Sequence, residues 1–429
     1  MASFEQGPAL WVPLRFLLTA PLFGIAAGLL LAWLGADVVT SRWSSGAVAL
    51  THLLTTGFML QAMFGALLQF IPVAAGGNVW RPKYVATTVH PIISIGAALL
   101  GVSFLPGYSD TLWLAGTLLG AGSVAFALVA GTALLRSSAA SPTARTLRAS
   151  VASLVVTVAL GVALAQTMSG SLTLRFVETT NLHALWGLGG WALLLLAGVS
   201  MYVVPMFQLT PFYPAWLGRA LAPGLLAALL FVSAGAILSA GSGWRTGGAS
   251  VGILLAIAFA GTTLWLQEHR RRTRTDPTFY FFRNAMYCLL AAGCLSVLLL
   301  TPGGADPALP ILVGILLLVG VFVAAINGML YKIVPFLCSF QLQRSGKLPL
   351  GQPGAVRFIS SLAMTGQRWL HLSALGLLLG ALWFPRLASA AGITFATSCA
   401  WLEWNLVGAV WRYRGLKDRA RAAAAGGES

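Results

Sequence analysis

Three apolar segments of this 429-residue chain carry the same punctuation. Each has a glycine, a second glycine eight residues on, and a proline seven residues after that. The copies are Gly57–Gly65–Pro72, Gly190–Gly198–Pro205 and Gly320–Gly328–Pro335, with the prolines 133 and 130 residues apart. A marker repeated at so even a period reads as internal triplication, with units near 1–140, 141–280 and 281–429. Glycines eight apart on a helix lie a little over two turns apart, near one face, where they let a neighbouring helix approach closely. The proline at the far end stops or kinks the helix.

The segments holding these markers belong to a chain that is 58% hydrophobic and 8% charged, with a mean hydropathy of +0.85, which excludes a water-soluble globule. A membrane span needs ~20 mostly apolar residues, and runs of that length exclude the ~10-residue alternating strands of a barrel. Twelve spans are expected, near 12–35, 46–73, 85–105, 111–135, 149–168, 182–207, 220–241, 249–267, 283–301, 310–337, 369–385 and 387–411. The marked spans are then the second, sixth and tenth. The expected fold is an all-α polytopic membrane protein, a single membrane domain over 1–429, with twelve transmembrane helices in three arcs of four.

A net charge of +16 invites a nucleic-acid partner, but the placement of the charges argues for the bilayer. Of the 26 Lys and Arg, 20 fall in alternate loops and the C-terminal tail, including Arg81, Lys83 and the run from His269 to Arg272. The opposite loops hold only Arg42, Arg175, Arg245 and Arg386. This is the positive-inside asymmetry. It predicts a bacterial inner-membrane protein with both termini cytoplasmic and a basic face against anionic lipid. The first apolar stretch is too long for a cleavable signal sequence. Four cysteines without a Cys-x-x-Cys motif give no disulfide framework. The usual phosphate-loop, zinc-protease and serine-hydrolase motifs are missing from the sequence.

Ionisable side chains inside spans are costly and face the protein interior. His52 lies five residues before the first marker glycine of span 2, and His183 seven before that of span 6, both toward the outer side. His90 and His371 stand near the inner starts of spans 3 and 11. Imidazole is the commonest ligand of transition metals and haem, so all four are candidate metal ligands, with an interhelical hydrogen bond as the alternative. Met59, two helical turns from His52, and Met201 are candidate soft ligands for haem iron or Cu(I), or else core filler. Glu403 and Lys332, polar groups inside spans 12 and 10, read as proton or ion carriers, or as an ion pair with each other.

Span 6 runs Leu182-His183-Ala184-Leu185-Trp186-Gly187-Leu188-Gly189-Gly190-Trp191 and continues Gly198-Val199-Ser200-Met201-Tyr202-Val203-Val204-Pro205. Span 10 runs Gly328-Met329-Leu330-Tyr331-Lys332-Ile333-Val334-Pro335. These patterns, with His at minus seven in one repeat and minus five in another, resemble the tenth span of haem-copper oxidase subunit I. That subunit also has twelve spans in three arcs. Among its relatives the chain looks most like the NnrS-like haem- and copper-associated membrane proteins. The resemblance implies one haem b or one copper ion held by His52, His183 or both, with Met59 and Met201 as further candidates. It implies respiratory electron transfer, nitric oxide or gas handling, or metal supply, with a respiratory complex subunit or electron donor as partner. It does not extend to oxygen reduction: span 10 has Val313 and Ile315 at the two ligand offsets, and five histidines cannot supply the six ligands required. The alternatives are a secondary transporter coupled through Glu403 and Lys332, and a cofactor-free assembly factor.

Overall fold

The computed structural model describes residues 7–238, 242–271, 275–301, 306–344 and 358–426, and among these the regular structure is helical throughout. The helices are α1 (Trp11–Leu34), α2 (Ser45–Ala74), α3 (Pro82–Ser103), α4 (Leu112–Arg136), α5 (Pro142–Met168), α6 (Phe176–Gln208), α7 (Ala215–Ile237), α8 (Ser242–Glu268), α9 (Pro277–Leu298), α10 (Ala308–Gln343), α11 (Ser361–Gly380) and α12 (Leu387–Gly426). The ten helices from α1 to α10 are long and apolar enough to cross a membrane, and they match the first ten expected spans. The expected spans 369–385 and 387–411 fall on α11 and α12. There α11 begins earlier, because Ser360 caps it by accepting from the Ala363 amide. Ser44 and Ser141 start α2 and α5 in the same way, and Pro82, Pro142 and Pro277 occupy first-turn positions that need no amide donor.

The three marked helices form the centre. Within their apolar windows 78%, 67% and 56% of residues are buried in α2, α6 and α10, against 22–44% in the other seven candidate spans. Sequence neighbours pack side by side around them, and α12 returns to close against α1. That closure uses small residues. A Cβ on Gly24 would meet Cys399 Sγ at 2.7 Å, and one on Gly28 would meet the Ala396 Cα at 2.8 Å. Lipid gives no hydrophobic drive for helices to pair, so close van der Waals approach of this kind carries the association.

The marker glycines are seats for the first helix of each unit, and the register is the same three times. Gly57 and Gly65 receive Phe23 and Phe16 of α1; Gly190 and Gly198 receive Ser153 and Thr146 of α5; Gly320 and Gly328 receive Cys288 and Phe281 of α9. In every case the two partners are seven residues apart, two turns of the facing helix. A Cβ at Gly65, Gly190, Gly320 or Gly328 would come within 2.8–2.9 Å of its partner. Each marked helix also contains one π-helical segment, Leu53–Met59, Trp186–Leu193 and Leu316–Val323, with the first marker glycine as its fifth residue. The π turn widens the helix by one residue per hydrogen-bonded ring, a feature found most often at functional sites. It also breaks α-helical spacing, so Met59 does not share the face of His52 as the seven-residue separation predicts.

Candidate functional site

The π segments of α2 and α6 lie just beyond His52 and His183, and these two imidazoles lie near each other with their rings nearly parallel. Their ring centroids are 6.2 Å apart with 18° between planes, and the far side of the environment includes Phe104, 5.3 Å from the His52 ring. Each ring is held through Nδ1 by a backbone carbonyl. His52 Nδ1 lies 2.8 Å from Val48 O in its own helix, and His183 Nδ1 lies 3.0 Å from Thr157 O on α5. A carbonyl only accepts, so Nδ1 carries the proton in both rings and each Nε2 keeps its lone pair. Room for the His183 ring comes from Gly161, where a Cβ would stand 2.9 Å from His183 Cε1.

These features fit a shared metal. Two metal–nitrogen bonds of ~2 Å, with a ring radius on either side, bring imidazole centroids to about 6 Å apart. An Nδ1–H held by a carbonyl is the usual orienting contact of a metal-ligating histidine. Two neutral imidazoles are the kind of side chain that would hold a soft metal ion or a haem. Among the described residues no group of three or more His, Cys, Asp or Glu side chains converges to hold a metal ion, so the pair is not part of a larger cluster.

The other sequence candidates lie elsewhere. His90 Nε2 is bonded to Thr19 Oγ1 at 2.8 Å, and because that hydroxyl donates to Arg15 O it accepts from His90. His90 is therefore tied to α1 by an interhelical hydrogen bond. His371 is buried in α11 between Phe281 and Phe395. Met59 and Met201 are buried in the main apolar core.

The ion pair expected between Glu403 and Lys332 is not the one the chain makes. Lys332 Nζ pairs with Asp276 Oδ2 instead, and Glu403 Oε2 is buried without a hydrogen-bond partner. The reason is the start of α9. Asp276 caps that helix by accepting from the Thr278 amide at 3.0 Å, which fixes its carboxylate beside the inner end of α10. The signal was present in the sequence: Asp-Pro-Thr ahead of an apolar run is a helix start.

Burial alone would raise the Asp276 carboxyl, but the hydrogen bond and charge of Lys332, with the Thr278 and Phe279 contacts, outweigh it and hold it below the ordinary carboxylate range. A carboxyl lowered on folding contributes stability that is complete above about pH 4 and is lost as pH falls through its folded-state value. Asp276→Asn keeps an acceptor for the cap and removes the charge. Its thermal midpoint in detergent is expected to lie below that of the parent at pH 7 and to converge with it on acidification. Parallel curves from pH 7 to pH 3 would show that the pair contributes nothing.

No protein-family model and no curated protein matches this chain.

Proposed function

We propose that this chain is a haem- or copper-binding protein of the bacterial inner membrane, with twelve spans in three arcs of four as in oxidase subunit I, and with both termini cytoplasmic. His52 and His183 would hold the group through Nε2. The observation that carries the reading is the pair itself: two imidazoles with centroids 6.2 Å apart, each with Nδ1 held by a carbonyl. Bound there, a haem b or copper ion would supply reversible one-electron chemistry or a binding position for a diatomic gas. Respiratory electron transfer, nitric oxide handling and metal supply to a respiratory partner all use such a centre. Oxygen reduction does not follow, because span 10 has Val313 and Ile315 at the two ligand offsets and the chain's five histidines cannot supply six ligands.

The chain's own residues do three things here. Val48 and Thr157 set the tautomers, Gly161 leaves the space for the His183 ring, and ligation would join α2 to α6 while α5 steadies one ligand. The test is an optical spectrum of detergent-purified protein, oxidised and dithionite-reduced, with haem and copper measured on the same sample. About one haem per chain with a reduced α-band, or about one copper without haem, supports the proposal and says which group is held. A colourless, metal-free preparation, repeated after expression with haem and copper supplied, overturns it.

One observation favours a second reading, secondary transport: the partnerless Glu403 Oε2 inside α12. Substrate-dependent proton flux in proteoliposomes that is lost in Glu403→Gln would support that reading, and flux unaffected by the substitution would remove it.

A further inference from the structure

The first and third units set a histidine against their first helix in the same way and differ in what holds it. Phe16 meets the His90 ring edge-on at 5.0 Å, and Thr19, three residues on, bonds His90 Nε2. Phe281 is the register counterpart of Phe16, since the two fill the seats at Gly328 and Gly65. Phe281 lies 6.2 Å from the His371 ring, and three residues on stands Asn284. Here the bond does not close. Among the described residues Asn284 Nδ2 and both ring nitrogens of His371 are buried without hydrogen-bond partners. The Val319 carbonyl lies beside the His371 ring but outside hydrogen-bond geometry.

The surroundings repeat the pattern. Asn327, next to the seat glycine Gly328, is fully buried with neither Nδ2 nor Oδ1 partnered. Gln367, one turn before His371, is fully buried and donates to Ser398 Oγ at 2.9 Å, which leaves its Oε1 unmet. Six buried polar atoms on four residues of α9, α10 and α11 thus lack partners. Native interiors satisfy nearly all such atoms, with protein groups or with ordered water. The set mixes amide donors with carbonyl acceptors. A cation would meet the amide N–H groups and an anion the carbonyl oxygens, whereas water both donates and accepts.

We propose that the third unit encloses a water-holding site centred on His371, and that this water makes the imidazole a proton-binding group inside the membrane. The proton adds to the free ring-nitrogen lone pair of the neutral ring, and nothing leaves. Among the titratable and charged groups on the helices packed around it are Cys288 and Arg283 on α9, Tyr331 and Lys332 on α10, Arg368 on α11 itself, and Cys399 and Glu403 on α12. Lys332 is neutralised by Asp276, Arg283 reaches Glu268, and Arg368 lies over the Tyr280 and Trp369 rings. Tyr331 accepts from Asn405 Nδ2 at 2.9 Å. Glu403 lies further along α12, eight residues beyond Phe395, the α12 residue against the His371 ring.

The chain has only five histidines, so selective ¹⁵N-histidine labelling of the full protein in lipid nanodiscs gives a spectrum simple enough to assign, with His371→Asn removing one set of signals. The expected result is cross-peaks between the His371 ring nitrogens and water, with a one-proton titration of those nitrogens as the pH is lowered. Signals constant from pH 5 to 8 and without water cross-peaks would overturn the proposal. Asn284→Thr supplies the hydroxyl that Thr19 gives to His90. It is expected to weaken the water cross-peak severalfold and lower the titration midpoint while the other four histidines keep their shifts. If those four stay fixed and the His371 signals do not change, the gap beside Asn284 is not the water site and the proposal fails. If the variant does not fold, the parent titration decides alone.

Discussion

Replacing both His52 and His183 by alanine is expected to leave a protein with no Soret band and no stoichiometric copper, at unchanged yield and unchanged helical content. Both Nε2 lone pairs are removed, and no other His, Cys, Asp or Glu group of three converges among the described residues to take their place. Single replacements should separate the two ligands. His52→Ala leaves His183 held by Thr157 O from α5, so one candidate ligand stays in place and binding is expected to weaken and not vanish. Gly161→Ala is the more telling variant. A Cβ there stands 2.9 Å from His183 Cε1 and 3.4 Å from its Nδ1, and so pushes the ring while leaving both nitrogens in place as atoms. Disturbing what orients a ligand costs ~10–100-fold in affinity, so Gly161→Ala should retain the centre at reduced occupancy. A spectrum and metal content identical to the parent in the double alanine variant would remove the pair from the site altogether.

The second large effect belongs to the glycine seats. Gly57→Ala places a Cβ 2.7 Å from Phe23 Cβ, on the most buried of the ten candidate spans among the described residues. Overpacking of that kind costs ~1–3 kcal/mol, and more where neither helix can retreat. Gly408→Ala in α12 is the control, because nothing lies within 4 Å of a Cβ at that position. There the substitution should be neutral or slightly stabilising, as alanine is the better helix former. Adding Phe23→Ala to Gly57→Ala should recover part of the loss, and the size of that coupling in a double-mutant cycle measures the seat directly. Equal thermal midpoints for Gly57→Ala and Gly408→Ala in detergent would show that the marker glycines are not packing positions.

The glycine–proline markers made the centre of the molecule legible, because a residue chosen for lacking a side chain announces close approach wherever it recurs at helical spacing. Hydropathy placed the first ten helices for an equally direct reason. It missed the start of α11, where a serine cap sits ahead of Gln367 and Arg368, polar residues that depress the apolar signal. The offsets of His52 and His183 from the marker singled out the two histidines that meet. What could not be read was anything that depends on the π turns. One extra residue in a ring leaves no mark in composition, yet it rotates everything beyond it, and so Met59 falls off the His52 face. The partner of Lys332 was missed for a different reason. Only residues inside spans were weighed against it, while Asp276 stands one residue outside, as the cap of α9. The empty polar contacts around His371 lay beyond sequence reasoning altogether, since a missing hydrogen bond is a property of three dimensions.

The seats have a consequence for how such a protein is made. The partners in them are Phe and Phe, Ser and Thr, Cys and Phe, and none of these is a candidate ligand. The joints that close the first helix of each unit against its marked helix are thus made without the two imidazoles that would bind metal. Helix pairs closed in this way can be inserted and assembled before any cofactor is bound.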